Sequence, residues 1–196
     1  MEPIILASSS PRRQEILKLL NIPFRVIIPN FAEEAPSDLA PEAVPEFFAA
    51  RKVDAVARSL PVENELPWIL GADTVIIAKG KILGKPADQN EARQFLQLLQ
   101  GATHKVLTGL ALLNGKLMYV DTRTSVTKVT FAPMSQEEID WYISTGDWHG
   151  VAGGYRIQGL ASCFIKKIEG TNSSVVGLPI FELYDMLKTQ GYSILD

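Results

Sequence analysis

The sequence predicts a mixed α/β fold, built as a single domain over residues 1–196. Three observations predict it. Short apolar runs of strand length alternate with segments whose apolar residues recur at helical spacing, the order expected of an α/β chain. Hairpin signals stand at Lys79-Gly-Lys81 and at Asn114-Gly115, so the sheet is not purely parallel. With 196 residues and 46% hydrophobic content, the chain can bury a core without disulfides, and no low-complexity stretch or long linker divides it.

The elements follow in order. Ile4-Ile-Leu-Ala7 is an uninterrupted apolar run and reads as a buried strand. Ser8-Ser-Ser-Pro-Arg-Arg13 then turns into a helix, with Ser10 as its cap, Pro11 at its first position, and Ile16, Leu17 and Leu20 on its apolar face. Residues 24–28 read as a second strand that stops at Pro29. After an acidic, Pro-containing loop over residues 31–41, residues 42–60 read as a helix that tolerates Pro45 in its first turn and places Phe48, Val53 and Val56 inward. Residues 68–78 form the next strand, which returns through Ile82 and Leu83. Asp88 caps a helix that runs to residue 100, and strands over 104–113 and 117–131 follow on either side of the Asn114-Gly115 turn. Ser135 caps a helix through residue 143, and a Gly-rich loop spans 146–159. Residues 162–168 read as a strand and residues 181–190 as the last helix.

A net charge of -3 with both signs interspersed lacks the basic stripe of a protein that binds nucleic-acid polymers. No apolar run approaches the ~18 residues of a membrane span. Cys163 is the lone cysteine and cannot form an internal bridge; its setting in Ser162-Cys-Phe-Ile165 reads as a small core residue. Met1 leads into Pro3-Ile-Ile-Leu-Ala7 without a basic segment and a long apolar one, so the expected compartment is the cytoplasm.

Several residues are candidates for chemistry. Arg12 and Arg13 fall in the first turn of a helix, where the macrodipole disfavours cations. Either this is a solvated basic turn, or Ser8, Ser9, Ser10, the backbone N–H groups and the two guanidinium groups converge on an anion, for which phosphate is the best match. Gly71-Ala-Asp-Thr74 presents Asp73 at or near a strand end after a flexible glycine, as a turn residue or as a metal ligand. Glu33 and Glu34 on the acidic loop either are solvated or add an oxygen ligand for Mg²⁺ or Mn²⁺. Lys85 in Gly84-Lys-Pro86 can neutralise phosphate, whereas Lys52 is by spacing alone an ordinary exposed helix lysine. His104 and His149 form no close-spaced pair, and neither a zinc motif nor a P-loop is present.

Ser8-x-Ser-Pro-Arg-Arg13, Glu33, Lys52, Gly71-Ala-Asp-Thr74, Gly84-Lys-Pro86, Ala152-Gly-Gly-Tyr-x-Ile-Gln-Gly159 and Val176-Gly-Leu-Pro179 together resemble, in order and spacing, the Maf (septum-formation inhibitor) nucleotide pyrophosphatases. The resemblance spans nearly the whole chain. It implies an elongated, two-lobed, ITPase-like mixed α/β fold with a central cleft, assembled as a homodimer, and a nucleoside triphosphate substrate cut to monophosphate and pyrophosphate with Mg²⁺ or Mn²⁺. Asp73 and Glu33 are then the metal ligands, and Asp73, Glu33 and Lys85 the catalytic set. Ser8, Ser10, Arg13, Lys52 and Lys85 hold phosphate. Ser-Pro-Arg-Arg, Gly-Ala-Asp-Thr and Ile-Gln-Gly resemble the branch acting on dTTP and UTP, with Arg12, Thr74 and Gln158 at the positions that differ from the 7-methyl-GTP branch. Gly154, where Ala is commoner, and Arg156, where a small residue is, depart from the pattern. Other readings are a nucleotide-binding regulator of cell division without turnover, and an enzyme acting mainly on purine nucleotides.

Overall fold

The computed structural model describes residues 1–32, 34–61 and 66–195. In chain order the strands are β1 (Ile4–Ala7), β2 (Phe24–Val26), β3 (Ile69–Ala78), β4 (Lys81–Leu83), β5 (Thr103–Asn114), β6 (Tyr119–Phe131) and β7 (Ile165–Glu169). The helices are α1 (Pro11–Leu19), α2 (Val44–Ser59), α3 (Gln89–Leu99), α4 (Gln136–Thr145), α5 (Asn172–Val176) and α6 (Ile180–Thr189). The seven strands form one mixed sheet in the order β2-β1-β3-β5-β6-β7, with β4 paired to β3. β1 is parallel to both β2 and β3, whereas β3–β4 and β6–β7 are antiparallel, so the mixed α/β expectation holds. No helix among the described residues is long and apolar enough to cross a membrane.

The chain packs as two compact units, and the long strands contribute to both. The first comprises Met1–Asp73, Thr108–Ser125 and Gly177–Asp196; the second comprises Thr74–Leu107 and Val126–Val176. In the first unit, β1 is buried along its whole length, as its unbroken apolar run requires of a strand covered on both faces. Helix α2 packs Ala49, Val53 and Val56 onto Ile5, Ala7, Ile69, Ala111 and Leu113. Two glycines let it approach. A Cβ at Gly71 of β3 would overlap the carbonyl oxygen of Ala49, and one at Gly109 of β5 would overlap the backbone of Pro45 and Glu46. Glu46 then reaches β6, accepting hydrogen bonds from the hydroxyls of Thr122 at 2.7 Å and Thr124 at 2.8 Å. Pro45 lies in the first turn, where its missing N–H leaves no bond unmade.

In the second unit, the side chains of α3, α4, β5, β6 and the Gly-rich loop share one core, with Leu96, Leu99, Val129, Phe131, Tyr142 and Tyr155 among its members. Both helices begin as their sequences indicate. Asp88 accepts from the Glu91 N–H, and Ser135 and Glu138 form a reciprocal capping box. Gly146, in the left-handed conformation, ends α4.

His104 is 3% exposed in this core, with Nε2 2.7 Å from the Tyr155 hydroxyl and no partner for Nδ1 among the described residues. Burial disfavours the imidazolium and pulls its pKa down from 6.5 to about 4. Because the unfolded chain takes up the proton first, stability falls as pH drops through the window from 6.5 to about 4. This group alone is expected to cost about 2 kcal/mol between pH 7 and pH 5. Urea unfolding at the two pH values should show a flatter response in His104→Gln than in the native chain, and equal slopes would refute the assignment.

Some local expectations are corrected. The Asn114-Gly115 turn does join two neighbouring strands, but the second starts later than expected, at Tyr119 and not at Leu117: residues 115–118 form the connection, the Leu117 N–H donates to Asn114 Oδ1 at 3.3 Å, and Met118 takes positive φ. Gly115 is required by packing, since a Cβ there would overlap Leu66. Lys79 and Gly80 do form the tight turn, both with positive φ. Residues 160–164 wind into a 3-10 helix rather than opening a strand, and β7 starts at Ile165. Cys163 projects to solvent from that helix and is not a core residue. The short α5 has no counterpart in the sequence reading.

Candidate active site

The first unit assembles its candidate residues from the end of β1 outward. β1 lies between β2 and β3; the chain leaves it through α1 to reach β2 on one side, then returns through α2 to reach β3 on the other. The carboxyl end of β1, beside the stretch of β3 that follows Gly71, therefore lies at a topological switch point, the place where open α/β sheets present ligands. β1 pairs with β3 only as far as Ala7 opposite Gly71, so Ser8 and Asp73 both lie just beyond the paired stretch. Asp73 does not close its strand, as the sequence reading had it. It sits within β3, and Gly71 serves close helix packing rather than flexibility.

Ser8 and Arg13 are both buried. Arg13 donates from Nη1 to the Ser8 hydroxyl at 2.9 Å and from Nε to the carbonyl of Gly177 at 2.8 Å. The Ser10 N–H also donates to Ser8 Oγ, at 3.2 Å. Ser10 stands at the N-cap of α1, yet its side chain makes no capping bond to the first turn. Arg12 is half-buried one position earlier on that turn. The Gly177 carbonyl was invisible to sequence reasoning: it belongs to the Val176-Gly-Leu-Pro179 motif, and a backbone acceptor carries no side-chain signal.

Lys52 is not an exposed helix lysine. Its side chain is 9% exposed and its Nζ lies 2.5 Å from Asp73 Oδ1. Ala49 rests on Gly71 and Lys52 lies one helical turn further along the same face, which brings a lysine on α2 to a carboxylate on β3. Glu33 lies outside the described residues.

The second unit carries Thr74, Lys85 and Gln158. Thr74 is half-buried on β3, and Lys85 and Gln158 are exposed. The structure does bring the two glycine motifs of this unit together. The Gly153 N–H donates to the Gly84 carbonyl at 2.9 Å, and Gly153 and Gly154 both take positive φ. Gly153 also packs against Ile76, where a Cβ would clash with Cδ1. Arg156 braces the same loop: its guanidinium donates to Asp147 Oδ1 at 2.8 Å, to the Asp147 carbonyl, and to the His149 carbonyl at 2.6 Å. Gln158 projects from the braced loop and makes no side-chain hydrogen bond to any described residue.

Among the described residues no group of three His, Cys, Asp or Glu side chains gathers to hold a metal. Among the described residues Asp73 offers a hard oxygen donor, with the Lys52 ammonium 2.5 Å from it. That set suits Mg²⁺ or Mn²⁺, which rely on one or two carboxylates plus substrate phosphate and water, and does not suit a closed zinc site.

A protein of Pelotomaculum thermopropionicum named dTTP/UTP pyrophosphatase is 44% identical over 195 residues, covering 100% of both chains. One of the same name from Symbiobacterium thermophilum is 44% identical over 194 residues, covering 99% of this chain and 97% of that protein. Among solved structures, the Staphylococcus aureus Ham1 protein has a TM-score of 0.47 and 15% identity, covering 67% of this chain and 72% of that one. The family described as Maf-like protein matches residues 3–190, and the chain belongs to that family.

Proposed function

We propose that the chain is a nucleoside triphosphate pyrophosphatase that converts dTTP and UTP to the monophosphate and pyrophosphate, acting in the cytoplasm as a homodimer. The observation that carries this reading is that the Lys52–Asp73 pair and the buried Ser8–Arg13 pair both follow the point where β1 and β3 stop pairing, at Ala7 opposite Gly71. Relatives of the same length and 44% identity bear the name of that activity.

In this reading Arg13, held by Ser8 and Gly177, offers a preorganised cation to the triphosphate, and Lys52 adds a second. Ser8, Ser10 and the first-turn N–H groups of α1 complete the phosphate cradle of the first unit; the family resemblance assigns phosphate to Lys85 as well, which is exposed. Asp73 orients a water and accepts its proton. The water oxygen bonds to the α-phosphorus, the bond from that phosphorus to the α–β bridging oxygen breaks, and pyrophosphate leaves with the bonding pair. Asp73, with Glu33, would hold Mg²⁺ or Mn²⁺, which supplies charge stabilisation to the phosphate oxygens when bound. The Lys52 ammonium is positioned to stabilise the Asp73 carboxylate before reaction and phosphate charge during it.

A panel of UTP, dTTP, GTP and 7-methyl-GTP with Mg²⁺ or Mn²⁺, read by pyrophosphate release, tests the proposal. UTP and dTTP should be turned over best. Tight nucleotide binding with no pyrophosphate would overturn it in favour of a non-hydrolytic regulator, and preference for the guanine nucleotides would overturn the pyrimidine assignment.

Base choice is assigned to Arg12, Thr74 and Gln158. Uracil and thymine present an N3–H donor between two carbonyls, and the Gln158 amide offers both an acceptor and donors to that edge. A carboxylate there has acceptors only, which suit the N1–H and N2–H₂ donors of guanine. Gln158→Glu should therefore lower the ratio of kcat/KM for UTP over GTP by about tenfold or more. Equal loss on both substrates would return Gln158 to a structural role.

A further inference from the structure

β6 is an interior strand only in part. β7 pairs with it from Lys128 to Phe131, and among the described residues no strand covers the same edge from Tyr119 to Ser125. An open edge of that length is a template for another chain. Its two faces are occupied: Thr122 and Thr124 bond Glu46 of α2, while Arg123 bonds Asp185 of α6 and lies 3.3 Å from Asp121. What remains open is the edge itself. Beside it stand exposed apolar side chains, Tyr119 at 55% and, one helical turn before Asp185 on the same flank of α6, Phe181 at 69%.

The edge is complementary to itself. When two copies pair antiparallel about a two-fold axis normal to the sheet, the α2 faces stay together, so opposed residue numbers sum to an even value. A sum of 242 sets Asp121 against Asp121, and 246 sets Arg123 against Arg123; both oppose like charges. A sum of 244 sets Asp121 against the second copy's Arg123 twice over, Thr122 against Thr122, and Tyr119 against Ser125. We propose that the Tyr119–Ser125 edge of β6 is the dimer interface of this protein, occupied by a second copy in this register. The charges Asp121 and Arg123 select the register, and the sheet continues from one protomer into the next. This assigns a surface to the homodimer named above and does not depend on the substrate.

Sedimentation equilibrium on the full chain tests it with two variants. Asp121→Lys makes positions 121 and 123 of the strand both positive and Arg123→Glu makes them both negative, with Asp185 of α6 present alike in each variant. The native chain should be dimeric, and each variant alone should dissociate with a Kd raised at least tenfold. An equimolar mixture of the two should dimerise again, because each positive strand then faces a negative one; recovery on mixing also shows that both variants are folded. A monomeric native chain, variants that stay dimeric alone, or a mixture that stays monomeric would overturn the proposal.

Discussion

Asp73→Asn is expected to lower turnover of UTP and dTTP by about 100-fold or more, the loss typical when one preorganised electrostatic group is removed. The substitution keeps the side-chain volume and deletes a charge that does three things in the proposed reaction: it holds the metal, receives the proton of the attacking water, and fixes the Lys52 ammonium at 2.5 Å. Lys52 is nearly buried, so the amide leaves a cation with a weaker partner, and some stability will go with it. A thermal melt therefore accompanies the assay. A folded variant with native turnover would remove Asp73 from the chemistry, and Glu33 and Lys85 would have to be reconsidered.

Gly71→Ala is expected to be strongly destabilising to the first unit, through a clash between strand and helix. The new Cβ would overlap the Ala49 carbonyl and stand 2.9 Å from Val53 Cγ2. The obstacle is helix backbone, which no rotamer change can relieve, so α2 must lift from β3. Overpacking of this kind costs about 3 kcal/mol, which for a chain of this size lowers Tm by about 6 to 12 °C. Lys52 rides on the displaced helix, so activity measured well below the new Tm should fall as well. An unchanged Tm would mean that α2 does not seat on Gly71 in solution. Full activity with a lowered Tm would mean that the seat does not position Lys52.

The elements that the sequence reading located are those governed by local chemistry. Asp88 and Ser135 cap their helices because each side chain meets an N–H three residues on, and Lys79-Gly80 turns because both residues accept positive φ. What escaped it depends on distant partners. Gly71 resembles a flexible joint until Ala49 is laid across it, and Gly115 resembles an ordinary turn glycine until Leu66 is found against it. Lys52 gives no sign of Asp73 at a separation of 21 residues. Cys163 sits in an apolar run, but the 3-10 winding of residues 160–164 turns it outward while Ala161 and Phe164 point in. The candidate site residues were named from their motifs, whereas the Gly177 acceptor for Arg13 could be found only in three dimensions.

The discontinuity of the two units bears on how the chain matures. Unit 2 is complete once residue 176 has been synthesised, but unit 1, although it contains the first strand, also needs Gly177–Asp196. α6 supplies Leu183, Met186 and Leu187 to the interior, and the Gly177 carbonyl immediately before it anchors Arg13 across 164 residues of chain. Vectorial, start-to-end folding on the ribosome is therefore unavailable to the half that carries β1. The arginine proposed to receive the triphosphate acquires its final orientation only after the last segment has emerged and docked, so a nascent or C-terminally truncated chain cannot preform its anion site.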